Sequence, residues 1–128
     1  MSQLELKSPR DGSVLKFSVV SRSADEVEFE VSVRTPWFTG RAPASTYFNG
    51  SPGSMFDAMA REWRGWQGQK SWQDLEASVS LIGESDSTGH VRLTVELKAH
   101  YEDRLRVVLE YEAGQLEDMA HAVVDLLG

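Results

Sequence analysis

The sequence predicts a single α+β domain over residues 1–128, in which a curled antiparallel sheet of six to seven strands carries two helices on one face. Apolar and polar residues alternate in five segments, which is typical of strands, and two further segments carry apolar residues at helical spacing. No linker, low-complexity tract or internal repeat divides the chain. Strands interrupted by one helix and closed by another favour a two-layer α+β architecture.

The strands are predicted from this period-two alternation, which indicates antiparallel strands with one face on a core and the other in water. Weaker candidates lie around Leu4 and Leu6 and at residues 45–48, and hairpin turns are expected at 10–13, 23–25, 86–89 and 101–103. The five stronger stripes are Leu15, Phe17 and Val19; Val27, Phe29, Val31 and Val33; Leu75, Ala77, Val79 and Leu81; Val91, Leu93, Val95 and Leu97; and Leu105, Val107, Leu109 and Tyr111.

Two helices are predicted where the apolar spacing changes from two to between three and four. The first begins at Ser54, which together with Asp57 resembles a capping box, and its apolar face continues to Trp66. Gly65 and Gly68 are its expected stops. The second helix follows Gly114 and has an apolar side formed by Leu116, Met119, Ala120, Val123, Leu126 and Leu127.

The predicted helices are too narrow to cover the predicted sheet. Two adjacent helices are about 20 Å across and cover roughly four strands, whereas six or seven strands are about 30 Å wide. The sheet must therefore curl strongly, or part of its apolar face must stay open for a ligand or a second copy of the chain. We expect this uncovered part to be the functional surface or a homodimer interface.

Composition and charge exclude several classes of protein. The 128 residues include no cysteine, which excludes thiol nucleophiles, thiolate metal sites and disulfides. A formal net charge of −7 argues against a nucleic-acid partner, since phosphate recognition requires clustered Lys and Arg. The first residues lack the apolar core of a signal peptide, and no aliphatic run approaches the roughly 20 residues of a membrane span. We therefore expect a cytoplasmic protein without a membrane partner.

No catalytic residue, metal site or cofactor is predicted. His90 and His100 point from the same strand segment but are separated by about 33 Å of extended chain, too far to share an ion. No serine lies in a Gly-x-Ser-x-Gly elbow. Glu28 and Glu30 share one sheet face and are interpreted as solvated acids.

Residues 63–72 stand out because they hold three of the four tryptophans. On the predicted helix, Trp63 and Trp66 share one face while Arg61 and Arg64 share a neighbouring row. One interpretation is that the indoles close the end of the core. The other is a recognition patch, since tryptophan and arginine dominate interface hot spots. The candidate binding residues are Trp37, Arg61, Trp63, Arg64, Trp66, Trp72 and His90.

The pattern Trp-x-Gly-Trp-x-Gly at residues 63–68, together with Trp72 and Gly89-His90-Val91, resembles a family of small bacterial proteins of unknown function. The size, acidity and α+β pattern are also similar to immunity proteins that neutralise bacterial toxins. These resemblances imply a fold and a kind of partner, and they supply no catalytic residue.

The sequence therefore favours a non-enzymatic binding protein that acts through an apolar and acidic surface around the Trp-Gly segment. Its expected partner is a basic or toxin-like protein, since no Lys or Arg follows Arg106 and the end of the chain is acidic. The alternative is a small-molecule-binding protein or enzyme with a pocket on the curled sheet, where Arg61, Arg64 and His90 would supply the polar groups.

Overall fold

The computed structural model describes residues 2–100 and 102–128, so Met1, and Tyr101 in the predicted turn at 101–103, lie outside the described residues. Within the described ranges, no helix is long and apolar enough to cross a bilayer. The strands are β1 (Gln3–Lys7), β2 (Val14–Arg22), β3 (Val27–Arg34), β4 (Thr39–Ser45), β5 (Lys70–Gln73), β6 (Val79–Ser85), β7 (His90–Ala99) and β8 (Asp103–Glu112), and the helices are α1 (Gly53–Arg61) and α2 (Leu116–Leu127).

The strands form two antiparallel sheets. Sheet A contains β1 to β4 and sheet B contains β5 to β8, each in chain order. The α+β class is confirmed, but the prediction of one curled sheet with six to seven strands was wrong. The chain leaves β4 through α1, and the next strand pairs with β6 instead of with β4. Dividing the strands between two packed sheets is a common alternative to one wide, strongly twisted sheet.

Each sheet is followed by one helix, so the fold repeats a ββββα unit twice although no repeat is visible in the sequence. The two helices pack against each other. The first residue of α1 lies against the end of α2, since a Cβ built on Gly53 would be 3.0 Å from Cγ2 of Val124. The N-terminus of α1 therefore meets the C-terminus of α2, an arrangement that the opposed helix dipoles favour.

The two sheets cross each other instead of running side by side. At β4, Gly40 permits a close approach, because a Cβ on this residue would lie 2.5 Å from Cδ2 of Leu105 in β8. Further along β8, the Tyr111 hydroxyl donates a 2.7 Å hydrogen bond to the carbonyl of Leu6 in β1. Since β1 and β4 are the outer strands of sheet A, β8 runs across that sheet. This is close to the orthogonal class of sheet packing.

Helix α1 contacts both sheets. Its fully buried Phe56 packs edge-to-face on Phe17 of β2, with ring centroids 6.4 Å apart. Its Met59 lies directly over Gly83 of β6, where a Cβ would be 2.5 Å from the methionine sulfur. The helix thus joins sheet A to sheet B, whereas both helices were predicted to cover one face of one sheet.

Helix α1 also differs from its prediction at both ends. It spans Gly53–Arg61, and its Ser54 hydroxyl donates to the carbonyl of Ser51 at 3.4 Å instead of capping the helix. The predicted capping box was therefore wrong. Because the helix ends before Trp63, this residue and Trp66 lie in the following loop and do not share a helix face.

Two predicted strands are displaced, and the others are confirmed. The strand expected at 45–48 lies earlier, at Thr39–Ser45, where Gly40 and Pro43 interrupt the apolar alternation. The strand predicted to begin at Leu75 begins only at Val79. Ala77, in the loop before it, has a positive φ of 56°, which extended strands do not contain. The apolar side predicted for α2 is buried as expected.

Candidate functional site

Trp72 belongs to the core. Its side chain is buried, its indole N–H donates a 3.0 Å hydrogen bond to the carbonyl of Gly50, and its ring lies 6.1 Å from that of Phe29. An indole with its face packed and its N–H satisfied offers no free group to a partner. For this tryptophan, the interpretation as a core residue agrees with the structure.

Trp63 and Trp66 lie nearer the surface, and the chain's own cations cover their rings. Trp66 is half-buried, and its indole N–H donates to the carbonyl of Gly83 at 3.3 Å. The Lys70 ammonium lies 5.7 Å from its ring centroid. Trp63 is exposed, and the Arg64 guanidinium lies 5.1 Å from its ring centroid. Both contacts are within the range of cation–π interactions.

The predicted polar residues have partners inside the chain. Arg61 forms a 2.9 Å ion pair with Asp57, one helical turn before it. The His90 ring lies between two carboxylates, with nitrogen-to-oxygen distances of 3.4 Å to Asp86 and 3.6 Å to Glu112. Hydrogen bonds from the His90 and Thr88 backbone N–H groups lower the pKa of Asp86 to about 2. Asp86 belongs to the turn between β6 and β7, whereas Glu112 ends β8 and lies opposite His90 in the sheet.

The structure brings only part of the predicted patch together. Arg64 and Trp66 share a shallow cavity with the β6–β7 turn, and His90 reaches the same turn through Asp86. Trp37 lies instead in the β3–β4 turn of sheet A, where the Thr35 hydroxyl accepts a 3.2 Å hydrogen bond from its backbone N–H. The role of these residues in binding stays a prediction.

A different concave surface lies between β3, β4 and the connection from β5 to β6, and it has a volume of about 430 Å³. We call it the acidic groove. Phe29 and Ala44, which are opposite each other in β3 and β4, contribute buried apolar surface. Val20, Tyr47 and Leu75 add exposed apolar surface. Val20 reaches this position because a β-bulge between Val19 and Ser21 displaces the end of β2.

Four carboxylates line the acidic groove. Glu26 and Glu28 come from β3 and the turn before it, while Asp74 and Glu76 come from the β5–β6 connection. Among the described residues, no Lys or Arg lines the groove. Like charges gathered along a cleft raise the local concentration of ligands of opposite sign. The groove therefore combines apolar surface with four acidic side chains.

Asp74 organises one wall of the acidic groove. Its side chain is buried, and its Oδ1 accepts a 3.1 Å hydrogen bond from the backbone N–H of Val79. Its carbonyl accepts a 2.9 Å bond from the N–H of Ala77, which closes the loop that carries Glu76. Burial raises the pKa of Asp74, and the nearby charge of Glu76 adds to this effect.

The raised pKa of Asp74 predicts a pH dependence of stability. The contribution of the protonated Asp74 side chain to the free energy of unfolding is fully present below the unfolded-state pKa of 3.8. This contribution is lost as the pH rises through the higher folded-state pKa. Asp74→Asn keeps an acceptor for Val79 but cannot ionise. On raising the pH from below 3.8 to 7, we expect the melting temperature of the variant to increase relative to the wild type. Thermal unfolding of both proteins across this range measures the difference, and a constant difference would contradict the prediction.

Sequence reasoning missed the acidic groove. Glu28 was interpreted as part of a solvated face, and neither Asp74 nor Glu76 was singled out. The groove combines segments that are about 50 residues apart, so no local motif marks it. The available signal was weak: the acids at 74 and 76 flank an apolar Leu75 in a segment predicted to be a strand.

The fold and the acidic groove define a small α+β protein built from two ββββα units. Residues 6–128 match a family of unknown function, DUF6228, and the chain belongs to this family. No curated protein and no solved structure matches the chain. The resemblance to a family of unknown function is thereby confirmed, while the likeness to immunity proteins stays a prediction.

Proposed function

We propose that this chain is a non-enzymatic binding protein that holds a basic segment of a partner protein in the acidic groove. The observation that carries the proposal is the groove itself, in which four carboxylates surround apolar surface without a neutralising Lys or Arg among the described residues. Repulsion among these carboxylates and the exposure of Val20, Tyr47 and Leu75 to water are both unfavourable in the free protein. A partner that supplies cations and covers the apolar surface relieves both costs.

A Lys or Arg side chain has the chemistry that this groove accepts. Its aliphatic stem can pack along Val20 and Leu75, whose side chains are largely exposed. Its charged head can then reach Glu28 on one wall and Glu76 on the other, and both of these acids are exposed. A guanidinium can bind each carboxylate through two hydrogen bonds, which favours arginine.

Recognition through side chains is also favoured over extension of the sheet. The groove borders β4, which is an outer strand of sheet A and contains Pro43. Proline lacks a backbone N–H and is one of the devices that hinder the addition of a further strand. A partner segment is therefore expected to lie across the groove without pairing with β4.

This proposal relocates the predicted binding surface. The surface around the Trp-Gly segment (residues 63–72) holds the cations Arg61, Arg64 and Lys70 beside the acids Asp57 and Glu62. Its charge is therefore mixed and less suited to a basic partner than that of the acidic groove. A basic toxin is one protein of the proposed class, in keeping with the predicted likeness to immunity proteins. The predicted homodimer and the cytoplasmic location stay predictions.

Fluorescence anisotropy with a labelled peptide of alternating arginine and leucine tests the proposal. We expect saturable binding to the wild type, and binding at least about tenfold weaker to the double variant Glu28→Gln, Glu76→Gln. The matched control is Glu5→Gln, Glu117→Gln, which removes two exposed acids outside the groove and gives the same net charge.

Circular dichroism of the three proteins verifies that each remains folded. The control variant is expected to bind the peptide like the wild type. A peptide of alternating glutamate and leucine is expected not to bind any of them. Equal weakening in both double variants would show that only net charge attracts the peptide, and it would overturn the proposal.

A further inference from the structure

The outward side chains of β7 and β8 include an unusual pair of like charges. Glu96 lies opposite Arg106, and the two form a 3.2 Å ion pair. The next outward pair along the same two strands is Lys98 opposite Arg104. Within the described part of the chain, neither of these cations has an ion pair or a side-chain hydrogen bond. Like charges directly opposite each other destabilise an antiparallel sheet, so this pair costs stability without an evident structural benefit.

The same cations line a cavity of about 440 Å³ on sheet B, which we call the basic pocket. Its volume is within the range of small-molecule sites. The pocket also contains apolar surface from Leu97 and Leu105, and polar side chains from Gln73 and Ser80. It lies outside the acidic groove, with which it shares no lining residue. The pocket therefore offers charge, apolar contact and hydrogen-bonding groups in one place.

We infer that the basic pocket is a binding site for a small organic anion of the phosphomonoester class. Lys98, Arg104 and Arg106 supply three cations against the single carboxylate of Glu96, which leaves an excess of two positive charges. A phosphomonoester carries between one and two negative charges at neutral pH and matches this excess. The Arg104 guanidinium can hold two phosphate oxygens at once, while Lys98 acts as a compact point charge.

The organic part of the ligand is assigned to the apolar surface. Leu105 is half-buried and lines the same pocket as Arg104, so a ring or alkyl group attached to the phosphate can pack on its exposed part while the phosphate meets the cations. The chain as a whole has a charge of −7 and repels anions at long range. This repulsion is screened over about 8 Å at physiological salt, so the local excess of positive charge decides binding.

Isothermal titration calorimetry with phenyl phosphate, inorganic phosphate and phenol tests this inference. We expect saturable binding of phenyl phosphate, weaker binding of inorganic phosphate and no binding of phenol. Arg104→Gln is expected to weaken the binding of phenyl phosphate at least about tenfold. The matched control is Arg92→Gln, an exposed outward position on β7 that lies opposite Glu110 instead of another cation. Its affinity for phenyl phosphate is expected to equal that of the wild type.

A thermal readout separates this role from a structural one. Lys98→Gln removes the like-charge pair, so the free variant is expected to melt at a higher temperature than the wild type. Phenyl phosphate is expected to raise the melting temperature of the wild type but not that of the variant.

No saturable binding, or equal losses in the Arg92 and Arg104 variants, would overturn the inference. Equal affinity for phenyl phosphate and inorganic phosphate would overturn the assignment of an organic ligand. None of these results bears on the acidic groove, which is tested with different residues.

Discussion

Trp72→Ala is expected to lower the free energy of unfolding by about 3–5 kcal/mol, the usual cost of truncating a large buried aromatic side chain. Only 7% of this residue is exposed, and its ring packs on Phe29 between the two sheets. Its indole N–H bonds to the carbonyl of Gly50, which the substitution leaves without this donor. Loss of packing and loss of this hydrogen bond therefore act in the same direction.

Urea unfolding of the purified variant measures this loss. The matched control is Trp37→Ala, because Trp37 is the same residue type but is 86% exposed in the β3–β4 turn. The control is expected to change stability by no more than about 0.5 kcal/mol. A folded Trp72 variant with the stability of the wild type would show that this tryptophan does not hold the core together.

Phe56→Ala is expected to have a second effect of this size, about 3–5 kcal/mol. Phe56 is fully buried in α1 and makes an edge-to-face contact with Phe17 of sheet A. The same helix reaches sheet B through Met59 and Gly83. Truncation at this position therefore opens a cavity where the helix and sheet A meet, and the fully packed neighbours can fill it only in part.

A double-mutant cycle with Phe17→Ala isolates the contact between the two rings. We expect a coupling energy of about 0.5–1.5 kcal/mol, as measured for other aromatic pairs. Phe38→Ala, at a 61% exposed position, is the control for removing a phenyl ring. Additive losses at residues 17 and 56 would contradict a direct interaction between the rings.

The elements that could be predicted are those with a strong local pattern. Residues 27–33 alternate cleanly between apolar and charged or polar side chains, and β3 forms there. The apolar side of α2 was also identified, because its spacing is regular and a glycine precedes it. In both cases, neighbouring residues in the chain carry the whole signal, and long-range packing only reinforces it.

The division into two crossing sheets could not be predicted in this way. It depends on where strands meet, as at Gly40 and Leu105, which are far apart in the sequence. The predicted mismatch between sheet width and helix width assumed one sheet of six to seven strands, with strong curling or an open apolar face as the solutions. The structure instead has two four-stranded sheets and a helix that contacts both.

The candidate site was harder to predict than the fold. The indole N–H of Trp72 donates to the carbonyl of Gly50, and that of Trp66 donates to the carbonyl of Gly83. No sequence pattern reveals that these two groups already have partners inside the chain. The acids of the groove come from strands and loops of different sheets. Their proximity is a property of the sheet crossing and becomes visible only after the chain is folded.

The contact between Tyr111 and Leu6 has a consequence for the order of folding. Within each sheet, strands pair with their neighbours in the chain, so these meanders close short loops at little entropic cost. The Tyr111 hydrogen bond instead joins residues 105 positions apart, and a long loop must close before it forms. We therefore expect the two meanders to gain structure early and their docking to complete the transition. The interface between the sheets would then govern how fast the native protein opens.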